Sequence, residues 1–182
     1  MALKATIFKA ELQVSDMDRN YFQSHSLTVA RHPSETDERM MIRLLAFAFN
    51  ADELLQFTKG ISTDDEPDLW LKNLHGDIEH WIELGLPDER RIRKGCNRAK
   101  RVTVYAYGER SASIWWKNIE ADLSRFDNLT VNYLSPEDTN AIAAMAERNM
   151  SLQATVQEGD IWFGNEEKTQ MISPETWKTA KG

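Results

Sequence analysis

The chain has 182 residues, a net charge of −7 and 41% apolar residues, which is enough to bury the core of one domain. The excess of acid argues against a surface that coats nucleic acid broadly, so any such contact must come from a local basic patch. A single cysteine, Cys96, excludes an internal disulfide and zinc sites built on cysteine pairs, and it suits a cytoplasmic location. No apolar run approaches the roughly 18 residues of a membrane span, and no apolar secretory segment begins the chain, so we expect no membrane association.

The first third of the sequence predicts a β-hairpin and then a helix. Residues 5–14 and 22–30 alternate loosely on either side of a turn cluster, which predicts two paired strands. Ser34 is a suitable N-cap for a helix that runs to about Phe49. The apolar face of this helix is predicted from residues at helical spacing: Met41, Leu44, Leu45 and Ala48.

The middle of the chain alternates strands and helices. Strands are predicted at residues 69–71, 78–84, 102–107 and 129–134, and helices at residues 87–100, 111–126 and 136–149. Residues 54–57 fit either a short strand or the end of a helix. The alternation after Glu83 implies parallel strands with crossover helices. The end of the chain adds strands at residues 150–157, 161–163 and 169–172. We therefore expect an α/β fold with a mixed β-sheet flanked by helices and with added antiparallel hairpins, in one domain of residues 1–182.

Two acids on the central hairpin form a candidate metal site. Asp68 and Glu83 lie on adjacent predicted strands and can converge at one edge of a pleated face. Two such carboxylates, completed by water and phosphate, suit Mg²⁺, and Glu38 of the first helix can add a third. The alternative is structural: Asp68 is a turn residue after Pro67, and Glu83 pairs with an arginine of the next helix.

A dense basic run follows the hairpin on the helix predicted at residues 87–100. Seven cations form it: Arg90, Arg91, Arg93, Lys94, Arg98, Lys100 and Arg101. A functional interpretation is a phosphate-binding surface for nucleic acid. The alternative is a solvated helix face whose cations pair with Asp88 and Glu89, and composition alone favours it.

Three further features carry weaker functional signals. His80 alternates with apolar residues and is expected to be packed rather than catalytic. Cys96 faces the inside of its helix and is expected to be a structural thiol. Trp115 and Trp116 can stack on bases, although helix register turns one of the two toward the core.

Several segments resemble the YaeQ family of bacterial proteins. They are His32-Pro33-Ser34-Glu35-Thr36, Glu38-Arg39-Met40-Met41, Arg43-Leu44-Leu45-Ala46, Asp65-Glu66-Pro67, residues 81–92 and Leu152-Gln153-Ala154-Thr155. The resemblance runs from Leu3 to about Trp177, which is nearly the whole chain.

This resemblance implies a restriction-endonuclease-like fold, a variant of the PD-(D/E)xK nuclease fold, with its core at about residues 34–134. In the superfamily motif an Asp follows a Pro at a hairpin strand, and an acid stands two residues before a Lys on the next strand. Asp68 matches the first position and Glu83 the second, but Gly85 occupies the lysine position. Some superfamily members supply the base from the following helix, which here makes Lys94 the first candidate and Arg91 the second.

Two functions from different classes follow. One is a Mg²⁺-dependent nuclease or phosphodiesterase, in which Asp68 and Glu83 hold the metal, Glu38 assists, and Lys94 or Arg91 stabilises the transition state. The other is a non-catalytic binding or adaptor protein on a degenerate nuclease scaffold, which binds nucleic acid or a protein partner. The resemblance adds a link to transcript elongation. The missing strand lysine and the acidic net charge favour the second function, and the retained acid pair favours the first.

Overall fold

The structure is a computed structural model, and it describes residues 4–59 and 65–181. Its helices are α1 (Asp37–Phe49), α2 (Glu89–Arg98), α3 (Arg110–Leu123) and α4 (Pro136–Ala143). Its strands are β1 (Thr6–Asp16), β2 (Tyr21–Arg31), β3 (Leu55–Phe57), β4 (Leu69–Lys72), β5 (Ile78–Leu84), β6 (Ala99–Ala106), β7 (Leu129–Tyr133), β8 (Asn149–Gln157), β9 (Asp160–Gly164), β10 (Thr169–Ile172) and β11 (Glu175–Lys178). Among the described residues, no helix is long and apolar enough to cross a membrane.

The chain divides into two compact units. One extends through Ala51 and resumes at Glu137–Ser173, and the other comprises Asp52–Pro136 and the end of the chain from Pro174. The division after Ala51 falls inside the predicted nuclease-like core of about residues 34–134. That the chain works as one domain stays a prediction.

The first unit contains a five-stranded sheet in the order β10-β9-β8-β1-β2. β1 and β2 form the predicted hairpin, and the alternation along β1 buries Phe8, Ala10, Leu12 and Val14 on one face. β8 pairs with β1 in parallel and continues into β9 and β10 in antiparallel order. The sequence pattern predicts both terminal sets of strands but not their union in one sheet, because pairing between distant segments leaves no local pattern.

Helix α1 of the same unit is buried more completely than one apolar face requires. Every residue from Met40 to Ala48 is buried, including Arg43. The Arg43 side chain remains compatible with burial because its Nε donates to the Glu35 carboxylate at 3.0 Å. The N-cap is Thr36, whose hydroxyl accepts from the Arg39 amide at 3.1 Å, so the prediction of Ser34 as the cap is wrong.

The second unit contains a six-stranded sheet in the order β11-β7-β6-β5-β4-β3. Strands β5, β6 and β7 are parallel and are joined by α2 and α3, which confirms the predicted crossovers. β3 and β4 extend the sheet in antiparallel order, and β11, which the pattern did not predict, pairs with β7 at the other edge. The fold is therefore α/β, with two mixed sheets flanked by helices where the sequence predicted one.

Helix α2 packs unusually close to β5. Gly95 lies on the inner face of this helix, against the fully buried indole of Trp81. A Cβ at Gly95 would stand 2.8 Å from the Trp81 Nε1 atom, which is well inside van der Waals contact. The glycine therefore sets the distance between the helix and the strand.

We expect Gly95→Ala to destabilise the protein although alanine is the better helix former. The propensity gain of about 1 kcal/mol is outweighed by overpacking that costs about 1–3 kcal/mol, because the buried indole cannot move aside freely. Urea unfolding measures the change in the free energy of unfolding. Asn97→Ala, at an exposed position of the same helix, is the control and should be neutral or slightly stabilising. Equal stability of Gly95→Ala and wild type would contradict the close packing.

Candidate functional site

The two acids of the central hairpin come together in the structure. The register pairs Leu69 with Ile82, and the Asp68 amide donates to the Ile82 carbonyl at 3.0 Å, so Asp68 lies directly before β4 and beside the end of β5 that carries Glu83. The charge of Asp68 acts on the Glu83 carboxyl group, which shows that the two side chains are close. Both side chains are only 2% exposed. The hairpin pattern had predicted this juxtaposition.

Asp68 has a structural partner at the end of β5. Its Oδ2 atom accepts from the Leu84 amide at 2.8 Å, while its own carbonyl accepts from the Thr58 amide at 3.2 Å. The carboxylate thus binds a backbone donor at the last residue of the neighbouring strand. This contact joins the segment before β4 to the end of β5.

Glu83 is held by one donor on each oxygen. Its Oε1 accepts from Trp81 Nε1 at 2.9 Å, and its Oε2 accepts from Arg91 Nε at 2.7 Å. Burial is the main cause that raises the pKa of Glu83 to about 7, and the charge of Asp68 adds to the rise while Arg91 opposes it. The carboxyl group therefore changes protonation state near neutral pH.

Arg91 joins three parts of the second unit. Besides its bond to Glu83, its Nη2 donates to the Glu66 carbonyl at 2.6 Å, and its own amide donates to the N-cap carboxylate of Asp88 at 2.8 Å. The structural alternative for Glu83, a pair with an arginine of the next helix, is therefore what the structure shows. The role of Trp81 was not predicted, although its position two residues before Glu83 on one strand face is the signal that could have revealed it.

Lys94, the first candidate for the base, has its charge engaged elsewhere. Its Nζ lies 3.0 Å from Asp65 Oδ1, and this hydrogen bond is the main cause that lowers the pKa of Asp65. Arg98 donates to the carbonyl of the same Asp65 at 2.8 Å. These basic side chains therefore hold the segment that leads into Asp68.

The backbone at Gly85 explains why no lysine stands there. Gly85 has a φ of +92°, in the left-handed region that side-chain-bearing residues rarely adopt. Its amide donates to the Tyr105 carbonyl at 2.9 Å, and a Cβ would lie 4.0 Å from the ring of Tyr107. A lysine at this position would be strained by the backbone.

Glu38, the predicted third ligand, belongs to the first unit. Its Oε2 accepts from the Thr139 hydroxyl at 2.8 Å within that unit. In residues 4–59 and 65–181, no group of three or more His, Cys, Asp or Glu side chains is arranged to hold a metal ion.

The basic run is largely paired within the molecule. Arg93 lies 3.3 Å from Glu89, and Lys100 lies 2.9 Å from Glu79, in addition to the partners of Arg91, Lys94 and Arg98. Within the described part of the chain, the side chains of Arg90 and Arg101 make no ion pair or hydrogen bond, although the charge of Arg101 helps to lower the pKa of Glu79. A cavity of about 170 Å³ at the start of α2 is lined by Asp88, Arg90, Arg91 and Lys94.

The candidates with weaker functional signals are packed within the protein. His80 is buried and its Nε2 lies 2.8 Å from the Thr103 hydroxyl, which confirms that it is packed. Burial raises the pKa of the half-buried Cys96 thiol to about 12. Trp115 donates to the Pro87 carbonyl at 2.8 Å, and Trp116 stacks on Trp177 with ring centroids 5.5 Å apart. Both tryptophans are half-buried against the core of the second unit.

The family assignment follows from comparison with known proteins. A family model described as YaeQ protein matches residues 1–174. The chain belongs to the YaeQ family. It is 52% identical to the uncharacterized protein YaeQ of Escherichia coli K12 and 51% identical to that of Salmonella typhi, over 98% of each chain.

Solved structures of YaeQ proteins share the fold. The crystal structure of the YaeQ protein from Xanthomonas axonopodis pv. citri is 45% identical with a TM-score of 0.92, and the match covers 96% of this chain and 99% of that one. The YaeQ protein from Pseudomonas syringae is 32% identical with a TM-score of 0.93, over 98% of both chains. The resemblance of the sequence to the YaeQ family is confirmed.

We expect the Glu83 carboxyl to make the stability of this YaeQ protein depend on pH. Its pKa is about 7 in the folded state and about 4.5 in the unfolded state, so between these values the folded state binds the additional proton. Stability from this group is therefore fully present below pH 4.5 and is lost as the pH rises to about 7, by about 3 kcal/mol.

The measurement is the difference in the free energy of unfolding between wild type and Glu83→Gln at several pH values. This difference should fall between pH 4.5 and 7 and then become constant. Glu79→Gln on the same strand is the control, because the hydrogen bond from Lys100 lowers the pKa of Glu79 and no fall is expected in this window. A Glu83→Gln difference that is independent of pH would contradict the raised pKa.

Proposed function

We propose that this YaeQ protein is a non-catalytic binding protein on a degenerate restriction-endonuclease-like scaffold. The observation that carries the proposal is the ion pair between Arg91 Nε and Glu83 Oε2, 2.7 Å apart and mostly buried. In an active nuclease of the PD-(D/E)xK type, the second motif acid would serve a metal ion. Here a guanidinium from the following helix neutralises that acid.

The acid pair does not fit a divalent ion in this arrangement. Mg²⁺ prefers oxygen ligands and octahedral geometry, whereas both oxygens of Glu83 accept N–H bonds and Asp68 Oδ2 accepts the Leu84 amide. The pKa of Glu83 near 7 also means that a metal would compete with a proton at neutral pH. The left-handed Gly85 adds a third reason, because the water-activating lysine is absent from its strand position.

The binding surface we assign is the exposed part of the basic run. Most of its cations pair with carboxylates or donate to carbonyls of the second unit, and Arg90 and Arg101 are the exposed members whose side chains make no ion pair or hydrogen bond among the described residues. Arg90 also lines the cavity at the start of α2. An anionic polymer such as nucleic acid can bind such charges despite the net charge of −7, because screening limits repulsion to about 8–10 Å at physiological salt. The family link to transcript elongation makes single-stranded RNA the first ligand to test.

A Mg²⁺-dependent nuclease or phosphodiesterase is the second candidate, and the buried pair of Asp68 and Glu83 favours it. Two adjacent acids excluded from water are costly to keep unless they have a role. In this function both acids would hold the metal, which would act as a Lewis acid for hydrolysis of a phosphodiester. Arg91 would have to leave Glu83, and it or Lys94 would neutralise phosphate charge.

We expect no metal-dependent cleavage by the wild-type protein. Labelled single- and double-stranded DNA and RNA are incubated with Mg²⁺ or Mn²⁺ and wild type, Asp68→Asn or Glu83→Gln. Asp77→Asn, an exposed acid of the β4–β5 turn, is the matched control for the lost charge. Mn²⁺ should not raise the melting temperature of wild type more than that of Glu83→Gln. Cleavage that survives Asp77→Asn but is lost in the other two variants would establish the nuclease and remove the binding-scaffold proposal.

We expect RNA binding to depend on salt through Arg90 and Arg101. Log affinity should fall with log salt by about 0.7 for each neutralised phosphate of a single strand. Replacing both arginines by alanine should reduce this slope by about 1–2 units, as measured by fluorescence anisotropy. The control replaces two exposed lysines of the first unit, Lys9 and Lys168, and should leave the slope unchanged. Absence of RNA and DNA affinity at low salt would instead favour a protein partner.

A further inference from the structure

Asp65 is an exposed acid that contacts two cations of α2. Its Oδ1 atom lies 3.0 Å from Lys94 Nζ, and its backbone carbonyl accepts from Arg98 Nη1 at 2.8 Å. The two basic residues are four positions apart, so they are neighbours on one side of the helix. A single residue outside any helix or strand therefore supplies an acceptor to each of them.

The acids paired with the basic run differ widely in exposure. The side chain of Glu83, the partner of Arg91, is 2% exposed, and those of Glu89 and Glu79 are 25% and 28% exposed. The Asp65 side chain is 85% exposed, and it lies outside the strand and helix that carry the other three. Of these four acids, Asp65 is the one that another anion can replace most easily, since an exposed ion pair adds little stability.

Lys94 and Arg98 belong to a row of cations along α2. Arg90, Lys94 and Arg98 recur every four residues, about 6 Å apart along the helix axis, so they form a basic stripe on one side of the helix. Arg90 and Lys94 also line the same cavity at the start of α2. The exposed guanidinium of Arg90 is therefore continuous with the two cations that Asp65 contacts.

A backbone phosphate is a group that suits these two donors. Like the Asp65 carboxylate, it carries a negative charge and has more than one oxygen that accepts hydrogen bonds. Lys and Arg are the side chains that commonly bind phosphate, because their N–H groups make charge-assisted hydrogen bonds to its oxygens. A stripe of such cations can bind successive phosphates of one strand.

We propose that Lys94 and Arg98 form a phosphate-binding position for RNA, and that RNA binds there by replacing the Asp65 carboxylate. The inference rests on the proposed RNA-binding function, and it adds two cations to the contacts of Arg90 and Arg101. Asp65 is then an internal competitor that lowers the affinity for RNA.

The replacement needs little rearrangement of the protein. Arg98 donates to the Asp65 carbonyl through Nη1, and a guanidinium has further N–H donors for a phosphate. Arg91 continues to donate to the Glu66 carbonyl at 2.6 Å, which holds the backbone next to Asp65. Only the exposed Asp65 carboxylate has to turn away from Lys94.

The first test is the affinity of the full chain for a fluorescein-labelled oligouridylate, measured by fluorescence anisotropy at low salt. Asp65→Asn should bind about two- to fivefold more tightly than wild type, because it removes a surface ion pair that competes with the phosphate. Asp65→Glu keeps the competing charge and should bind like wild type. Asp77→Asn removes the same charge from the exposed β4–β5 turn and should give a smaller gain.

The second test places the effect at Lys94. Lys94→Met keeps the apolar stem of the side chain and removes its charge. In this background Asp65→Asn should no longer tighten RNA binding, because Asp65 then has no lysine to release. Circular dichroism and the melting temperature of each variant check that it is folded, and Asp65→Asn should shift the melting temperature little because the side chain is exposed.

The outcomes distinguish the phosphate position from the RNA-binding function itself. If wild type and Asp65→Asn both lack RNA affinity at low salt, both are overturned. If wild type binds RNA but Asp65→Asn binds no more tightly than Asp77→Asn, the function stands and the phosphate position is overturned. A gain that persists with Lys94→Met would also overturn it, because the gain would be a general effect of charge. A gain that Lys94→Met abolishes supports it.

Discussion

The second unit depends on how it accommodates one buried carboxyl group. Glu83 is 2% exposed on the central hairpin, and it is tolerated because Trp81 and Arg91 each donate to one of its oxygens. The Trp81 indole that donates to Glu83 lies against Gly95 of α2, where a Cβ would stand 2.8 Å from its Nε1 atom. Arg91 then extends the same arrangement to the Glu66 carbonyl. One acid thereby positions α2, the β4–β5 hairpin and the segment before β4.

This arrangement bears directly on function. The two acids that resemble a nuclease motif accept hydrogen bonds from groups of the protein itself. Gly85 occupies the lysine position with a positive φ that residues with side chains rarely adopt. A site that binds a metal through Glu83 would have to break a mostly buried ion pair first. This geometry supports our proposal that the acids serve the structure of a binding scaffold.

The charges of the molecule are distributed in a way that composition alone conceals. The basic run looks like a surface for phosphate, yet Arg91, Lys94 and Arg98 bind carboxylates or carbonyls of the same unit. Conversely, the chain is acidic overall but has a long neutral strand, β2, at a sheet edge. In both cases the positions of the charges matter more than their number.

Local pattern predicted most elements of the fold and part of the site. Alternation and helical spacing located β1, β2, α1 and the series from β4 to β7, because periodicity is a property of neighbouring residues. The spacing of Asp68 and Glu83 predicted that they meet, since a hairpin brings its two strands together locally. The family resemblance was also carried by short segments and is confirmed by the family match.

What the sequence by itself determined is therefore the order and type of most elements, though not β11, together with the acid pair and the missing strand lysine. The tertiary structure decided that β1 joins β8 in parallel, that Lys94 binds Asp65, and that Glu83 has a pKa near 7. The physical reason is the same in each case. Strand order, ion-pair choice and desolvation depend on residues that are distant along the chain and close in space, and no local period records such neighbours.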